Sequence, residues 1–156
     1  MKMAKEFAKN SGLGTITTNA VGDTYDNYIM EEFAPPDFHT VDNLKAIVDI
    51  FGNFADNNWV YGHVLVIVMD DGLLDSITDI STEALMNRHR DNIWAFDVFT
   101  TGSPTSNQNQ RCKIVFDLKT PRKVKPTDRI AFVISLAASN ANTTIKYQCM
   151  MEVFYK

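Results

Sequence analysis

The sequence has no apolar run long enough to cross a bilayer and no secretory leader. Its longest apolar run extends only from Val64 to Met69, whereas a membrane-spanning helix needs about 20 apolar residues. Residues 1–7 lack the apolar core of a signal peptide. We therefore expect a protein that is soluble, is not exported by a classical signal and does not interact with membranes.

Paired cysteines and catalytic motifs are also missing. The two cysteines, Cys112 and Cys149, lack the spacing of a zinc site. Both fall at predicted inward positions, so we interpret them as reduced core thiols. There is no G-x-S-x-G motif, no Gly-rich phosphate loop, no H-E-x-x-H and no C-x-x-C. The sequence thus indicates no catalytic site and no cofactor, and an enzyme is the least supported class.

Histidines and aspartates provide only weak candidates for ligands. His39, His63 and His89 are far apart, and only His63 lies on a predicted strand. A lone histidine there is more often a core or interface residue than a ligand. The aspartates that follow this strand are the weak candidates for a metal site: Asp70, Asp71, Asp75 and Asp79. Their spacing fits no EF-hand loop, so we expect a solvated acidic loop and no metal.

The composition is that of a β-rich globular protein. The chain has 156 residues, of which 45% are hydrophobic, and it contains ten Phe, five Tyr and two Trp. Aromatic residues favour strands, and a chain of this length buries roughly two-thirds of its extended surface around one core. Neither an internal repeat nor a linker divides the sequence. We expect a single domain over residues 1–156.

The last third of the chain has the clearest strand pattern. Between Thr143 and Tyr155, alternation places residues 145, 147, 149, 151, 153 and 155 on one core-facing side. Residues 111–119 and 129–136 alternate in the same way. Because no helix separates these three runs, the pattern predicts that they form one antiparallel unit.

Upstream segments predict further strands and leave alternatives open. Residues 1–10 form either a short helix or a frayed arm extending to residue 12. Residues 25–33 form a strand or an ordered loop. Residues 41–54 match helical and strand periodicity equally, and we favour a strand because everything downstream is β.

Three more strands and one helix complete the prediction. The strands are at 13–18, 59–69 and 93–100, and the helical turns are at 81–88, capped by Ser81. The strand at 59–69 is apolar on both faces, which is typical of a central strand covered on both sides. About eight strands with long connections predict an all-β single jelly roll, an eight-stranded antiparallel Greek-key sandwich with at most short helices. An immunoglobulin-like sandwich is less suitable because the Cys-Trp-Cys framework is missing.

Charge is unevenly distributed along the chain. The net charge is −4, yet the segment from Asp23 to Asp42 has six acidic residues and no Lys or Arg. A basic stripe lies further on and consists of Arg111, Lys113, Lys119, Arg122, Lys123 and Lys125. The strand pattern places the first three on the face opposite the core. The stripe either contacts the acidic segment of a neighbouring subunit, which we favour, or holds nucleic-acid phosphates.

The carboxyl-terminal half resembles the capsid proteins of small circular single-stranded DNA viruses. The resemblance rests on the strand Cys112–Lys119, the turn Arg122–Ile134 and the final strand from Ile145, and it covers about residues 90–156. In that family an R-x-L-x-x-G-D-x-I turn joins two strands of a jelly roll. Four positions match this turn in kind, Arg122, Val124, Asp128 and Ile130, while Thr127 replaces the usual glycine.

The resemblance implies a coat protein that self-assembles into an icosahedral shell, with 60 subunits as the expected number. The partners that the resemblance implies are copies of itself and single-stranded DNA, and the implied location is the virion, after assembly in the host nucleus or cytoplasm. Family members usually begin with a long arginine-rich arm, whereas this chain has only Lys2, Lys5 and Lys9. These three lysines join the six stripe residues as candidates for nucleic-acid binding or a subunit interface. A rival function is a carbohydrate- or ligand-binding jelly-roll module that uses Trp59, Tyr61 or Trp94.

Overall fold

Strands dominate the part of the chain that the structure describes. In the computed structural model this part comprises residues 5–21, 25–33, 40–54, 58–103 and 108–155. The strands are β1 (Lys5–Thr18), β2 (Asp26–Phe33), β3 (Thr40–Phe54), β4 (Asn58–Asp70), β5 (Ile93–Ser103), β6 (Gln108–Leu118), β7 (Arg122–Lys123), β8 (Asp128–Ala138) and β9 (Thr143–Tyr155). Two short helices, α1 (Asp71–Leu74) and α2 (Thr82–Arg88), and two 3-10 turns, Ile77–Asp79 and Arg90–Asn92, lie between β4 and β5. Neither helix is long and apolar enough to cross a membrane.

The strands form two antiparallel sheets that pack face to face. Sheet A has the order β1-β9-β3-β6, with β7 also paired to β3, and sheet B has the order β2-β8-β4-β5. Apart from the steps β4 to β5 and β6 to β7, successive strands alternate between the sheets. This is the connectivity of a jelly roll, so the predicted fold class is confirmed.

Strand pairing differs from the prediction for the last third. The strands β6, β8 and β9 do not form one antiparallel unit. Both β6 and β9 pair with β3, while β8 lies in sheet B between β2 and β4. The alternation pattern reports only which side of each strand is buried, and several pairings satisfy it equally well.

The amino-terminal segment is the other correction. The alternatives of a helix or frayed arm are wrong from Lys5 onward, because residues 5–18 pair with β9 along its full length. The register shifts between Asn10 and Leu13, where Gly12 adopts a φ of 70°. This left-handed conformation suits glycine and accommodates the bulge. The predicted strands at 25–33 and 41–54 are confirmed as β2 and β3.

The principal core fills the space between the sheets. Its members include Leu44, Val48 and Ile50 of β3 and Phe132 and Ile134 of β8, all of which are fully buried. Both cysteines lie at this core outside any disulfide bond, with Cys149 buried and Cys112 half-buried. Burial raises the pKa of the Cys112 thiol.

A second core lies on the outer side of sheet B. There Leu65, Ile67 and Met69 of β4 pack against Leu74 and Leu85, which belong to the connection at residues 71–92. The prediction of a central strand covered on both sides is therefore confirmed, and this connection supplies the second cover. Asn27 of β2 anchors it, since the Asn27 side-chain amide donates to the carbonyl of Ile80 at 2.8 Å.

Ser81 caps α2, as the sequence predicts. Its hydroxyl accepts a hydrogen bond from the Ala84 N–H at 3.1 Å. Ser81→Ala is expected to lower the free energy of unfolding by about 1 kcal/mol because this donor loses its partner. Chemical denaturation measures the change, and Ser81→Thr, which keeps the oxygen, is the control. Equal destabilisation by both substitutions would contradict the capping role.

Candidate interface surfaces

The outer face of sheet A carries an ordered array of charged and apolar side chains. Alternate residues of its strands point away from the core, and the registers align them in rows across β9, β3 and β6. Row 1 is Glu152, Lys45 and Asp117; row 2 is Met150, Ile47 and Val115; row 3 is Gln148, Asp49 and Lys113; row 4 is Lys146, Phe51 and Arg111. On the neighbouring β1, Ala8, Asn10 and Leu13 extend rows 1, 2 and 3.

Row 2 forms the apolar floor of a shallow open depression of about 590 Å³. Val115 is 59% exposed and Met150 37% exposed. Charged side chains of row 1, among them Lys45 and Asp117, also line the depression. An exposed apolar patch with a charged rim is typical of an interaction surface.

Arg111 is occupied by an ion pair within the subunit. Its Nε and Nη2 atoms donate to the two carboxylate oxygens of Asp49 at 3.2 and 2.9 Å. Hydrogen bonding to this carboxylate raises the pKa of Arg111. Lys119 also has a partner, since its Nζ lies 3.3 Å from Oδ2 of Asp117. Arg111 and Lys119 are therefore partly neutralised before any other molecule binds.

The other stripe residues do not share one face. Arg122 lies on β7, is half-buried, and places its guanidinium carbon 5.5 Å from the centre of the Trp94 ring. Lys123 and Lys125 are exposed. Arg111 and Lys113 face outward from sheet A, and the remaining four stripe residues follow the end of β6. We call these six residues together the basic edge.

The amino-terminal lysines lie away from the stripe. Lys5 and Lys9 are on β1, in register with Tyr155 and Met151, while Lys2 is outside the described residues. Because β1 and β6 are the two edges of sheet A, the structure does not bring Lys5 and Lys9 together with the basic stripe. Each of these assignments as an interface or nucleic-acid site stays a prediction.

Half of the acidic residues lie on the side of the sandwich opposite the basic edge. Asp26, Glu31 and Glu32 belong to β2, the edge strand of sheet B that lies beside β1. The basic edge is formed by β6 and β7, and β6 lies next to β5. Asp42 is the exception, because it follows Val41 of β3, which pairs with β7; Asp23 and Asp37 fall outside the described residues. The charges of β2 and of the basic edge are thus separated across the width of the subunit.

The aspartates considered for a metal site interact with the protein itself. Oδ1 of Asp70 accepts from the Gly72 N–H at 3.0 Å and caps α1. Hydrogen bonds from the Thr127 side chain and the Gly72 backbone lower the pKa of Asp70. Asp71 pairs with Arg129 at 2.9 Å, whereas Asp75 is an exposed residue at the end of α1. Among the described residues, no three His, Cys, Asp or Glu side chains are grouped to hold a metal ion.

The histidines are not gathered into a site either. His63 lies on the outer side of sheet B, with the Tyr25 ring centroid 5.9 Å away. Its buried Nδ1 has no hydrogen-bond partner among the described residues. His89 ends α2, and His39 is outside the described range.

The three aromatic residues of the ligand-binding alternative do not form one platform. Trp59 and Tyr61 lie near the start of β4, whereas Trp94 lies at the bulge of β5 opposite the far end of that strand. About eight residues of extended chain, roughly 26 Å, separate Trp59 from Trp94 along the strand pair. A sugar of ordinary size cannot contact both.

Sequence reasoning missed most of the residues in the outer array. Lys45 and Asp49 lie beside the stripe because β3 pairs with β6, and Glu152 and Met150 lie there because β9 pairs with β3. Alternation signalled that these residues face outward. It gave no indication of which strands are neighbours.

Comparison with known proteins supports the fold. The chain matches no protein-family model and no curated protein sequence. Among solved structures, a chain of the infectious bursal disease virus Gx strain has a TM-score of 0.53 at 7% identity, over 97% of this chain and 32% of that one. This chain therefore spans about a third of the viral chain.

Two further structures are similar at lower scores. The decameric BFDV capsid protein has a TM-score of 0.43 at 12% identity, over 97% of this chain and 96% of that one. An arabinose-bound α-L-arabinofuranosidase has a TM-score of 0.45 at 10% identity, over 96% of this chain and 23% of that one. The likeness to the chain of the infectious bursal disease virus Gx strain, at 7% identity, shows the fold alone.

Proposed function

We propose that this chain is a viral coat-protein subunit that assembles with copies of itself into a small icosahedral shell around a nucleic-acid genome. The observation that carries the proposal is the location of opposite charges on opposite edges of a jelly roll, with acidic β2 on one side and the basic edge on the other. The likeness to a chain of an infectious bursal disease virus particle supports it. The resemblance of residues 90–156 favours a small circular single-stranded DNA virus.

Opposite edges of opposite charge provide a geometric route to assembly. When the basic edge of one subunit meets β2 of the next, the contact is head-to-tail, and repetition of such a contact closes into a ring if the rotation allows. Complementary charge accelerates encounter and fixes the register of the contact. Lys123 and Lys125 are exposed and lie beyond the end of β6, where a neighbour can reach them.

Genome binding is the second candidate role for the basic edge. Phosphate contacts need clustered Lys and Arg, but they carry no sequence information. Lys123 and Lys125 are exposed, while Arg111 and Lys119 already have acidic partners. We therefore assign the edge mainly to subunit contacts, with packaging as the alternative outcome of the test below.

Charge reversal of the basic edge tests the proposal. The wild-type protein is expected to form multimers well above dimer size at neutral pH by size-exclusion chromatography, and particles by negative-stain microscopy. Lys123→Glu with Lys125→Glu should reduce the particle yield at least tenfold because like charges then meet at the contact. Lysine substitutions at Glu31 and Glu32 should restore assembly. Arg122 is left unchanged because its guanidinium packs over Trp94.

The matched control is Arg88→Glu with Arg90→Glu, which makes the same change in net charge at exposed residues of the connection covering sheet B. This control should assemble normally. Well-formed particles that lose only their nucleic acid, measured by the ratio of absorbance at 260 and 280 nm, would assign the edge to packaging instead. A wild-type monomer at every salt and protein concentration would contradict the coat-protein function itself.

A further inference from the structure

The outer face of sheet A has a charge pattern that is complementary to itself. Row 2 is apolar, and rows 1 and 3 lie about 7 Å to either side of it, two residues along each strand. On β6, Asp117 and Lys113 flank Val115. On β3, Lys45 and Asp49 flank Ile47. On β6 and on β3, therefore, the two charges that flank the apolar centre have opposite sign.

We propose that two copies of this chain pair face to face through this surface, about a two-fold axis that runs along row 2 and across the strands. A two-fold contact brings the same patch of both subunits together. Here the operation places row 2 on row 2 and row 1 on row 3. Asp117 then lies opposite Lys113 of the second copy, and Lys45 opposite its Asp49.

The pair Asp117–Lys113 carries most of the specificity. Asp49 is only 9% exposed at its side chain and already binds Arg111, so its attraction for a second lysine is weakened. Asp117 and Lys113 are both exposed, and the ion pair of Asp117 with Lys119 is a solvent-exposed one that is easily exchanged. Val115, at the axis, buries its apolar surface against its own symmetry mate.

The alternative two-fold axis, along the strands, fits less well. It would reverse the order of the strands while keeping the rows, so that row 1 meets row 1 and row 3 meets row 3. Glu152 would then face Lys45, but Asp117 would face Ala8 and Lys113 would face Leu13. This axis therefore pairs only Glu152 with Lys45, whereas the axis across the strands pairs Asp117 with Lys113 and Lys45 with Asp49.

The surface is large enough for a weak contact. Rows 1 to 3, which the two-fold operation matches to one another, cover on the order of 400 Å² per subunit across four strands, below the roughly 800 Å² of a standard interface. We therefore expect the pair to be stable only at high protein concentration or within an assembly. The inference rests on the proposed function for its setting, because icosahedral shells contain two-fold axes at which such a contact recurs.

A charge-swap experiment tests the pairing. Asp117→Lys leaves two lysines facing each other across the axis, and Lys113→Asp leaves two aspartates. Each variant alone should dimerise at least tenfold more weakly than the wild type in sedimentation equilibrium at several hundred micromolar. A mixture of the two should associate again, because the lysine at 117 of one chain meets the aspartate at 113 of the other, and the unchanged Lys113 of the first meets the unchanged Asp117 of the second. The double variant should likewise recover self-association.

Background and controls make the result decisive. The measurement uses chains that also carry Lys123→Glu and Lys125→Glu, so that edge contacts do not mask the pair, and unfolding midpoints verify that each variant is folded. A mixture that associates no better than its separate components would overturn the face-to-face contact. If the wild type forms particles but the two variants do not associate when mixed, the face-to-face pairing alone is refuted. If the mixed variants associate but the wild type forms no particles, the shell is refuted and the pairing stands.

Discussion

Phe132→Ala is expected to lower the free energy of unfolding by about 3–5 kcal/mol. Phe132 is fully buried in β8, in register with Val66 of β4, and its ring faces the principal core between the sheets. Truncation removes the buried ring and leaves a cavity that the neighbouring strands cannot fill, because β8 is held on both sides by β2 and β4. Denaturant unfolding monitored by tryptophan fluorescence measures the loss.

Phe96→Ala is the matched control for this substitution. Phe96 lies on the edge strand β5 and is 58% exposed. The same change of side chain should cost less than about 1 kcal/mol there. Equal shifts of the unfolding midpoint for the two variants would mean that the assignment of inward and outward faces in sheet B is wrong.

Gly62→Ala should destabilise the protein by about 3 kcal/mol or more, through a backbone clash. A Cβ atom at residue 62 of β4 would lie 1.9 Å from the carbonyl oxygen of Ser135 and 2.9 Å from its carbonyl carbon. Both atoms belong to the backbone of β8, the central neighbour of β4, so no side-chain rotation can relieve the contact. The two strands would have to separate where both cores depend on their contact.

Gly72→Ala provides the control for this prediction. Residue 72 lies in α1, and a Cβ there would meet only the Asp70 side chain, at 3.4 Å. Alanine has a higher helix propensity than glycine, so the change in unfolding free energy should be within about 1 kcal/mol of zero. A Gly62→Ala variant as stable as Gly72→Ala would show that β4 and β8 do not approach each other as closely as described.

Some features followed directly from the sequence. Alternation identified β9, β6 and β8 and correctly placed residues such as Ile145, Phe116 and Phe132 toward the core. The strong apolar character of both faces of residues 59–69 predicted a doubly covered strand. Ser81 correctly predicted the start of α2. These are local signals, because the side-chain period of a strand and the hydrogen bond of a cap depend on residues a few positions apart.

Other features could not be read from the sequence. The amino-terminal strand, the neighbours of β3 and the rows on the outer face of sheet A all depend on residues far apart in sequence, as in the pairings of Asp49 with Lys113 and of Phe7 with Val153. The basic stripe was recognised as six residues. Only the three-dimensional arrangement showed that Arg111 and Lys113 face outward from sheet A, that Arg122 packs over Trp94 and that Lys119 forms an ion pair with Asp117.

The sequence by itself determined that the chain is a β sandwich, which faces of its strands are buried, and that acidic and basic residues lie in different segments. Only the tertiary structure decided that the acidic residues of β2 and the basic edge lie on opposite sides of the subunit and that Lys45, Asp49, Lys113 and Asp117 surround one apolar row. The physical reason is that burial has a period of two along every strand, whereas the choice of neighbouring strands depends on the closure of long loops and the fit of whole sheets.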